Sequence, residues 1–353
     1  MSDVADQAYL NTRVSVMATR LFPPDLAEQL IQMPLPALAE RFGLTALLDE
    51  QHTTAARSRA VEQSLIWLLM TELQILIRPM KSAERGLLLA WGRKYALFNL
   101  KTLIRGKLYE LDQKDIGDNL YDLPESIRLP DRALFGAENV LEMLRQLEAG
   151  PHHRIARQAR EVYEQQREPF ALEATVDQHY FADLAHRILT FDSHQQASLR
   201  RLIGVELDRT ALLWMLRFRF SYQLSPSETF YQLVPSPRLL TRERLLNLVN
   251  LENLERILES LPEPLNQTMA DCRTIADVQR RMELHTQREI RWLLARSPSG
   301  VARALAYLML READLMRLFA VVQGRLLGFP NDRVEMALNL IDPECATGAG
   351  QAA

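Results

Sequence analysis

His179, Asp183 and His186 are the residues whose types and spacing come nearest to chemistry. Steps of four and three place them on one face of a helix, where two imidazoles and a carboxylate could hold zinc. The same segment carries Tyr180, Phe181, Leu184 and Ile188 on a separate apolar face, so a solvated polar face accounts for the three residues and no metal is assigned. His152-His153 follow the Gly150-Pro151 turn and read as a loop. A phosphate loop needs glycines ending in Gly-Lys-Ser/Thr so that backbone amides can cradle phosphates. Gly106-Lys107 fails that test, because Leu108 follows it and a helical pattern precedes it. Gly348-Ala349-Gly350 follows no strand, and no Gly-x-Ser-x-Gly elbow occurs. Cys272 and Cys345 lie far apart and form neither a disulfide framework nor a zinc pattern, which fits a reducing cytosol. The expectation is a chain with no catalytic residue, no cofactor and no metal site.

The remaining residues able to meet a partner are basic, and they close a motif that occurs three times. The windows 94–107 (KYALFNLKTLIRGK), 206–219 (ELDRTALLWMLRFR) and 312–325 (EADLMRLFAVVQGR) start 112 and 106 residues apart. Leu100, Leu212 and Leu318 coincide, Arg105 falls on Arg217, Gly106 falls on Gly324, and Lys107, Arg219 and Arg325 end the windows. Where the first window has Asn99, the second has Ala211 and the third Arg317. Cations in a last helical turn interact favourably with the helix dipole, by roughly 0.3–1 kcal/mol when exposed. Partner binding is the other reading, and both stay open. Its candidates are Asn99, Arg105, Lys107, Arg217, Arg219, Arg317 and Arg325.

The elements that must position these residues are helices. Glycine is scarce, 13 in 353 residues, apolar residues make up 47%, and alternation of β-branched residues is hard to find. That combination predicts an all-α fold. Leu305, Leu308, Leu315, Phe319, Val322 and Leu326 recur at three, four or seven residues, as on the buried face of an amphipathic helix. Proline-bearing breaks follow each window: Leu123-Pro124 and Leu129-Pro130, then Val234-Pro235-Ser236-Pro237, then Phe329-Pro330. Helical patterns resume over 139–147 and 251–258, and Leu261-Pro262-Glu263-Pro264 closes the second of these. The repeat therefore reads as helix, break, helix, break, with the third copy cut short. The predicted units are 1–150, 151–262 and 263–344, with an extra helical segment near 55–80 in the first and a disordered tail over 345–353. Three similar helical bundles imply a pseudo-symmetric scaffold.

A formal net charge of −3 gives no field to draw nucleic acid or anionic lipid. The arginines over 154–167 and 280–296 alternate with Glu161, Glu164, Glu283 and Glu289, as on a solvated helix face. Neither apolar stretch, 64–80 or 301–324, offers about 20 nearly uncharged residues, so no membrane span is expected.

The ordered set of segments resembles the central-stalk subunit of rotary ATPases of the vacuolar and archaeal type, called C in prokaryotic complexes and d in eukaryotic ones. The segments are Tyr9-Leu10-Asn11-Thr12-Arg13-Val14-Ser15-Val16-Met17, Asn99-Leu100-Lys101-Thr102-Leu103-Ile104-Arg105-Gly106-Lys107, Glu173-x-x-x-Asp177-x-x-Tyr180-Phe181, Gly204-Val205-Glu206-Leu207-Asp208 and Glu312-Ala313-Asp314-Leu315. The resemblance covers most of residues 8–340. It implies a funnel of three helical units that hydrolyses nothing and couples a rotating shaft of D- and F-type subunits to a membrane ring of c-type proteolipid subunits. Such a subunit is cytoplasmic and attached to the membrane only through a proton- or sodium-translocating complex. Because Ala211 and Arg317 replace Asn99, and Gln323 replaces the arginine, the three units would not contribute equally. A free helical-repeat adaptor that binds a partner helix or peptide is the alternative.

Overall fold

The computed structural model describes residues 2–23, 25–150, 153–166 and 169–341. The tail expected over 345–353, Cys345 and His152 lie outside them. Among the described residues the chain is all-α, with no strand. It opens with α1 (Ser2–Ala18), α2 (Leu26–Gln32), α3 (Leu35–Phe42), α4 (Thr45–Asp49) and α5 (Thr54–Ile77). Next come α6 (Ser82–Gly92), α7 (Lys94–Leu108), α8 (Gln113–Gly117), α9 (Asp131–Gly136) and α10 (Val140–Glu148). The middle holds α11 (His153–Gln166), α12 (Pro169–Arg187), α13 (Ser193–Leu216), α14 (Pro226–Gln232) and α15 (Arg242–Val249). The chain continues through α16 (Leu254–Glu259), α17 (Leu265–Met269), α18 (Ile275–Arg296), α19 (Gly300–Leu326) and α20 (Asn331–Ile341).

Local chemistry explains many of the boundaries. Asn139, Asp192, Asn253 and Ser299 each accept a backbone N–H of the helix they precede, satisfying a donor that has no partner inside the helix. Ser225 with Glu228 and Thr274 with Asp277 form reciprocal capping boxes. The predicted helices over 139–147 and 251–258 are α10 and α16, and the proline breaks fall between helices. His153, predicted in a loop, begins α11.

The windows 94–107, 206–219 and 312–325 fall in α7, at the end of α13 and in α19. α19 is buried around its circumference over Gly300, Val301, Ala302, Ala304, Leu305 and Ala306, not along one stripe. Small residues let α1, α5 and α18 approach it from different sides. A large core joins α1, α5, α7, α10, α12, the first half of α13 and α19. A second core closes around Leu212, Leu216, Leu245, Ile257, Met269 and Val278, from α13, α15, α16, α17 and α18.

α5 alone among the described helices has the length and apolar composition to cross a membrane, with mean hydropathy 1.3. Its environment here is that of a core helix, packed against α19 and α6. Glu72 on α5 is 1% exposed. It accepts from the Tyr307 hydroxyl at 2.6 Å and lies 3.4 Å from both the Arg20 and Arg311 guanidinium groups.

Candidate functional site

The C-terminal part of α13 and the helices α7 and α19 meet at one cavity of about 720 Å³, with α12 and α18 completing the wall. Equivalent positions of the three windows line it: Lys94, Glu206 and Glu312 from their first residues, Phe98, Thr210 and Met316 from their fifth. The aligned register therefore corresponds to a spatial one. Segments more than 100 residues apart in sequence present the same two motif positions to one space.

Charges on this wall are paired. Glu312 accepts from both Lys94 and the Tyr95 hydroxyl. Lys101 meets both Asp177 oxygens at 2.8 and 3.0 Å. Arg209 bridges Glu206 and Glu283, the latter at 3.0 Å. The Lys94 ammonium lies 4.1 Å from the Trp91 ring centroid. Burial works to raise the Glu206 carboxyl, but Arg209 and Lys94 outweigh it and hold it below the usual range. Burial raises the Asp177 carboxyl despite Lys101. Burial, followed by the Glu312 charge, pushes the Tyr95 hydroxyl far up. This wall is charged, dense in aromatics and largely paired. It is built to hold a shape, because the Lys94–Glu312, Lys101–Asp177 and Arg209–Glu283 pairs each join two helices.

Below the cavity walls the three helices leave through similar turns. In α7 the Leu111 amide donates to the Gly106 carbonyl, and Glu110 takes φ 52. In α19 the Phe329 amide donates to the Gly324 carbonyl, and Gly328 takes φ 68. Both are left-handed helix terminations. After α13 the Leu224 amide donates to the Phe218 carbonyl and Gln223 takes φ 57, one residue later than in the other two. A π-helical turn over Arg217–Ser221 absorbs that extra residue.

The last cation of each window then caps another helix. Lys107 donates to the Phe135 and Ala137 carbonyls at 2.8 and 2.6 Å, at the end of α9. Arg219 donates to the Val249 carbonyl at 3.0 Å, at the end of α15. Arg325 donates to the Ile31 and Met33 carbonyls at the end of α2. Helix C-termini leave carbonyls without intrahelical donors, and a half-buried cation supplies them. Two of these partner helices lie within about thirty residues of their cation. The third comes from the opposite end of the chain, 292 residues away.

The remaining residues singled out in the sequence divide in the same way. Asn99 is 1% exposed, and its amide both donates to and accepts from the Tyr121 backbone, each at 2.8 Å. Arg317 is buried on α19 and reaches Asp314 at 2.9 Å and Gln287 at 2.8 Å. Arg105 is exposed and pairs with Glu173 at 2.6 Å. Arg217 is exposed, lines the cavity and meets Gln279 at 2.8 Å. Sequence reasoning missed the acidic partners Asp177 and Glu283, which come from α12 and α18, outside the three windows; Glu283, expected on a solvated helix face, instead lines the cavity against Arg209.

The sequence matches the family described as ATP synthase (C/AC39) subunit over residues 10–336. The chain belongs to that family. A curated relative from Methanocaldococcus jannaschii, the C subunit of an A-type ATP synthase, is 22% identical over 350 residues, covering 95% of this chain and 87% of the relative. Its counterpart of the same name from Methanosarcina mazei is 21% identical and covers 96% of this chain and 94% of the relative. A third, from Archaeoglobus fulgidus, is 20% identical over 95% of this chain.

Proposed function

We propose that this chain is the non-catalytic central-stalk subunit of an ion-translocating rotary ATPase, and that its cavity is a socket for the end of a helical shaft. One observation carries the reading: equivalent positions of three helical repeats, Lys94, Glu206 and Glu312, surround a single cavity. A helix of about 10 Å diameter rising 1.5 Å per residue would fill such a volume with roughly one to two turns. The relatives bear the name of an A-type ATP synthase subunit, and this reading assigns the chain a shaft of D- and F-type subunits and a ring of c-type subunits as its partners. The chain would sit on the cytoplasmic side, held to the membrane through the complex.

The three units are proposed to run over 1–150, 151–262 and 263–344, with the segment that includes α2 closing against the third. Within this scheme Asn99, Lys107, Arg219, Arg317 and Arg325 act by holding the walls, through the clamps described above. Arg105 and Arg217 are left to meet a partner directly. The helix exits bear exposed apolar residues, Tyr109 and Leu111 after α7, Tyr222 after the π turn, and Leu327 and Phe329 after α19. We assign these tips to the broad contact with the ring.

Arg217→Glu tests the socket. The side chain is exposed, so the melting temperature should move little, because exposed charges contribute about 0–1 kcal/mol. Affinity for the purified shaft complex should fall, and ATP hydrolysis by the reconstituted enzyme should uncouple from ion pumping. Unchanged shaft affinity and coupling would remove the cavity wall from the interface.

A further inference from the structure

A second pocket, of about 390 Å³, lies on the other side of α7 and α12 from the central cavity, with Leu97 and Tyr180 lining both. Its walls are the α6–α7 junction, the first turn of α11 and the C-terminal half of α12. Three guanidinium groups, Arg93, Arg154 and Arg187, face it with the imidazoles of His153, His179 and His186. One carboxylate, Asp183, shares the pocket, and it is already tied to Arg187 at 2.7 Å. The side chains of Arg93, Arg154, His179 and His186 make no hydrogen bond or ion pair with any described residue.

The contrast with the rest of the molecule is chemical. Half-buried cations elsewhere either face an acid, as Lys101, Arg209 and Arg238 do, or cap backbone carbonyls, as Lys107 and Arg219 do. Here burial, and then the neighbouring Arg187, hold the Arg93 guanidinium below its ordinary value, and Asp183 only partly offsets them. The Arg187 guanidinium also runs over α6 at Gly86, where a Cβ would lie 3.5 Å from its Nη1. A metal does not suit His179, Asp183 and His186 in this setting, since Arg93 and Arg187 would repel it.

We propose that this pocket binds a phosphate group, carried either by a small free anion or by the headgroup of an anionic lipid. Guanidinium forks match phosphate oxygens in pairs, and several of them converging on one space supply more donors than a carboxylate could use. The volume suits a small ligand, not a macromolecular surface. The pocket can fill or stay empty whichever way the socket reading falls.

Titration calorimetry of the full chain with pyrophosphate, and flotation with phosphatidylcholine vesicles with and without phosphatidylglycerol, test it. Binding of either probe is expected to weaken as salt rises, by screening. Arg93→Gln and Arg187→Gln should each reduce affinity by roughly tenfold or more, the loss of a charge-assisted pair. Without ligand, Arg93→Gln should melt at the wild-type temperature or above, because it relieves the repulsion from Arg187. A structural role for Arg93 would lower that temperature instead. Arg145→Gln, an exposed arginine outside the pocket, should bind as wild type does. Pyrophosphate binding identifies a free anion as the source, and capture by phosphatidylglycerol vesicles alone identifies a headgroup. If neither probe binds, or if binding survives both pocket substitutions, the proposal is overturned.

Discussion

α13 and α19 carry the same motif and solve the same packing problem with opposite residues. Where α19 has Gly324, allowing Val334 of α20 to press against its backbone, α13 has Phe218, 6% exposed, packed into the second core. α19 ends in a regular left-handed turn, whereas α13 takes in an extra residue through a π turn before its own. Near the helix middle, Asp208 receives the Leu239 and Leu240 amides and Arg238, while the aligned Asp314 receives the Phe22 amide and Arg317. The loop that Asp208 holds follows it in sequence. The loop that Asp314 holds precedes it by 292 residues. What recurs is a set of contacts, a buried carboxylate gripping a loop and a terminal cation capping a helix. The carboxylate and the terminal arginine are the same residue types in both helices, but the chain order of what they hold is not preserved.

That comparison breaks first at the N-terminal segment. A chain lacking α1–α3 removes Leu10, Val14, Met17, Leu26, Leu30 and Leu38 from the core. Each large apolar side chain contributes about 1.5–3 kcal/mol when fully buried, so their sum rivals the roughly 5–15 kcal/mol stability of a whole domain. Asp314 and Arg325 would also lose the Phe22 and α2 groups they hold. Such a truncation should abolish the cooperative melt followed by near-ultraviolet circular dichroism. Deleting α15 and α16 instead should empty only the second core and leave a cooperative transition for the first. If the N-terminal truncation melts like the full chain, α19 does not depend on that segment.

Phe218→Ala comes next in size. A phenylalanine deleted from a packed core costs typically about 3–5 kcal/mol, and urea unfolding should show it as a lower midpoint. A loss under about 1 kcal/mol would mean that the π turn relaxes to fill the space.

The motif register was legible because its period is helical: Lys94, Glu206 and Glu312 align by letters and line one cavity. The all-α fold was legible too, from scarce glycine and leucine spacing. Three features were not, each for a physical reason. A capping cation and a partner-binding cation look alike in sequence, and only the carbonyls they reach separate Lys107 and Arg219 from the exposed Arg217. A π turn is a local insertion, so windows that stop at residue 219 never register it. The pairing of α19 with α2 joins the two ends of the chain, and a reading that moves forward through the repeats has no signal for it.

Asp314 gives a test through pH. Burial, outweighing the Phe22 amide and the arginines around it, raises its carboxyl to about 6 from an ordinary 3.8. Between those values the native state keeps a proton that the unfolded chain has released, so this group's contribution falls as pH rises through the window. A gap of that size corresponds to roughly 3 kcal/mol. Asp314→Asn cannot titrate. The stability of the wild type relative to this variant, from urea unfolding, should therefore decline between pH 4 and pH 7. A difference that stays flat, or grows with pH, would show that Arg317 dominates and that the carboxylate is the native form throughout.

Gly324→Val is the smallest perturbation and the one that compares α19 with α13 most directly. A Cβ at residue 324 would stand 2.7 Å from Val334 Cγ2, closer than two carbons can pack, so α20 must shift outward. Overpacking of this kind costs typically about 1–3 kcal/mol. Val334→Ala removes the offending methyl groups and by itself should cost about the same as other small core truncations. Combined, the two changes exchange bulk across one contact, so their joint cost should be well below the sum of the single costs, a coupling that a double-mutant cycle reads directly. Additive losses would mean that residue 324 is glycine for a reason other than room for α20. The contrast with Phe218 would then lie in the turn geometry and not in the packing.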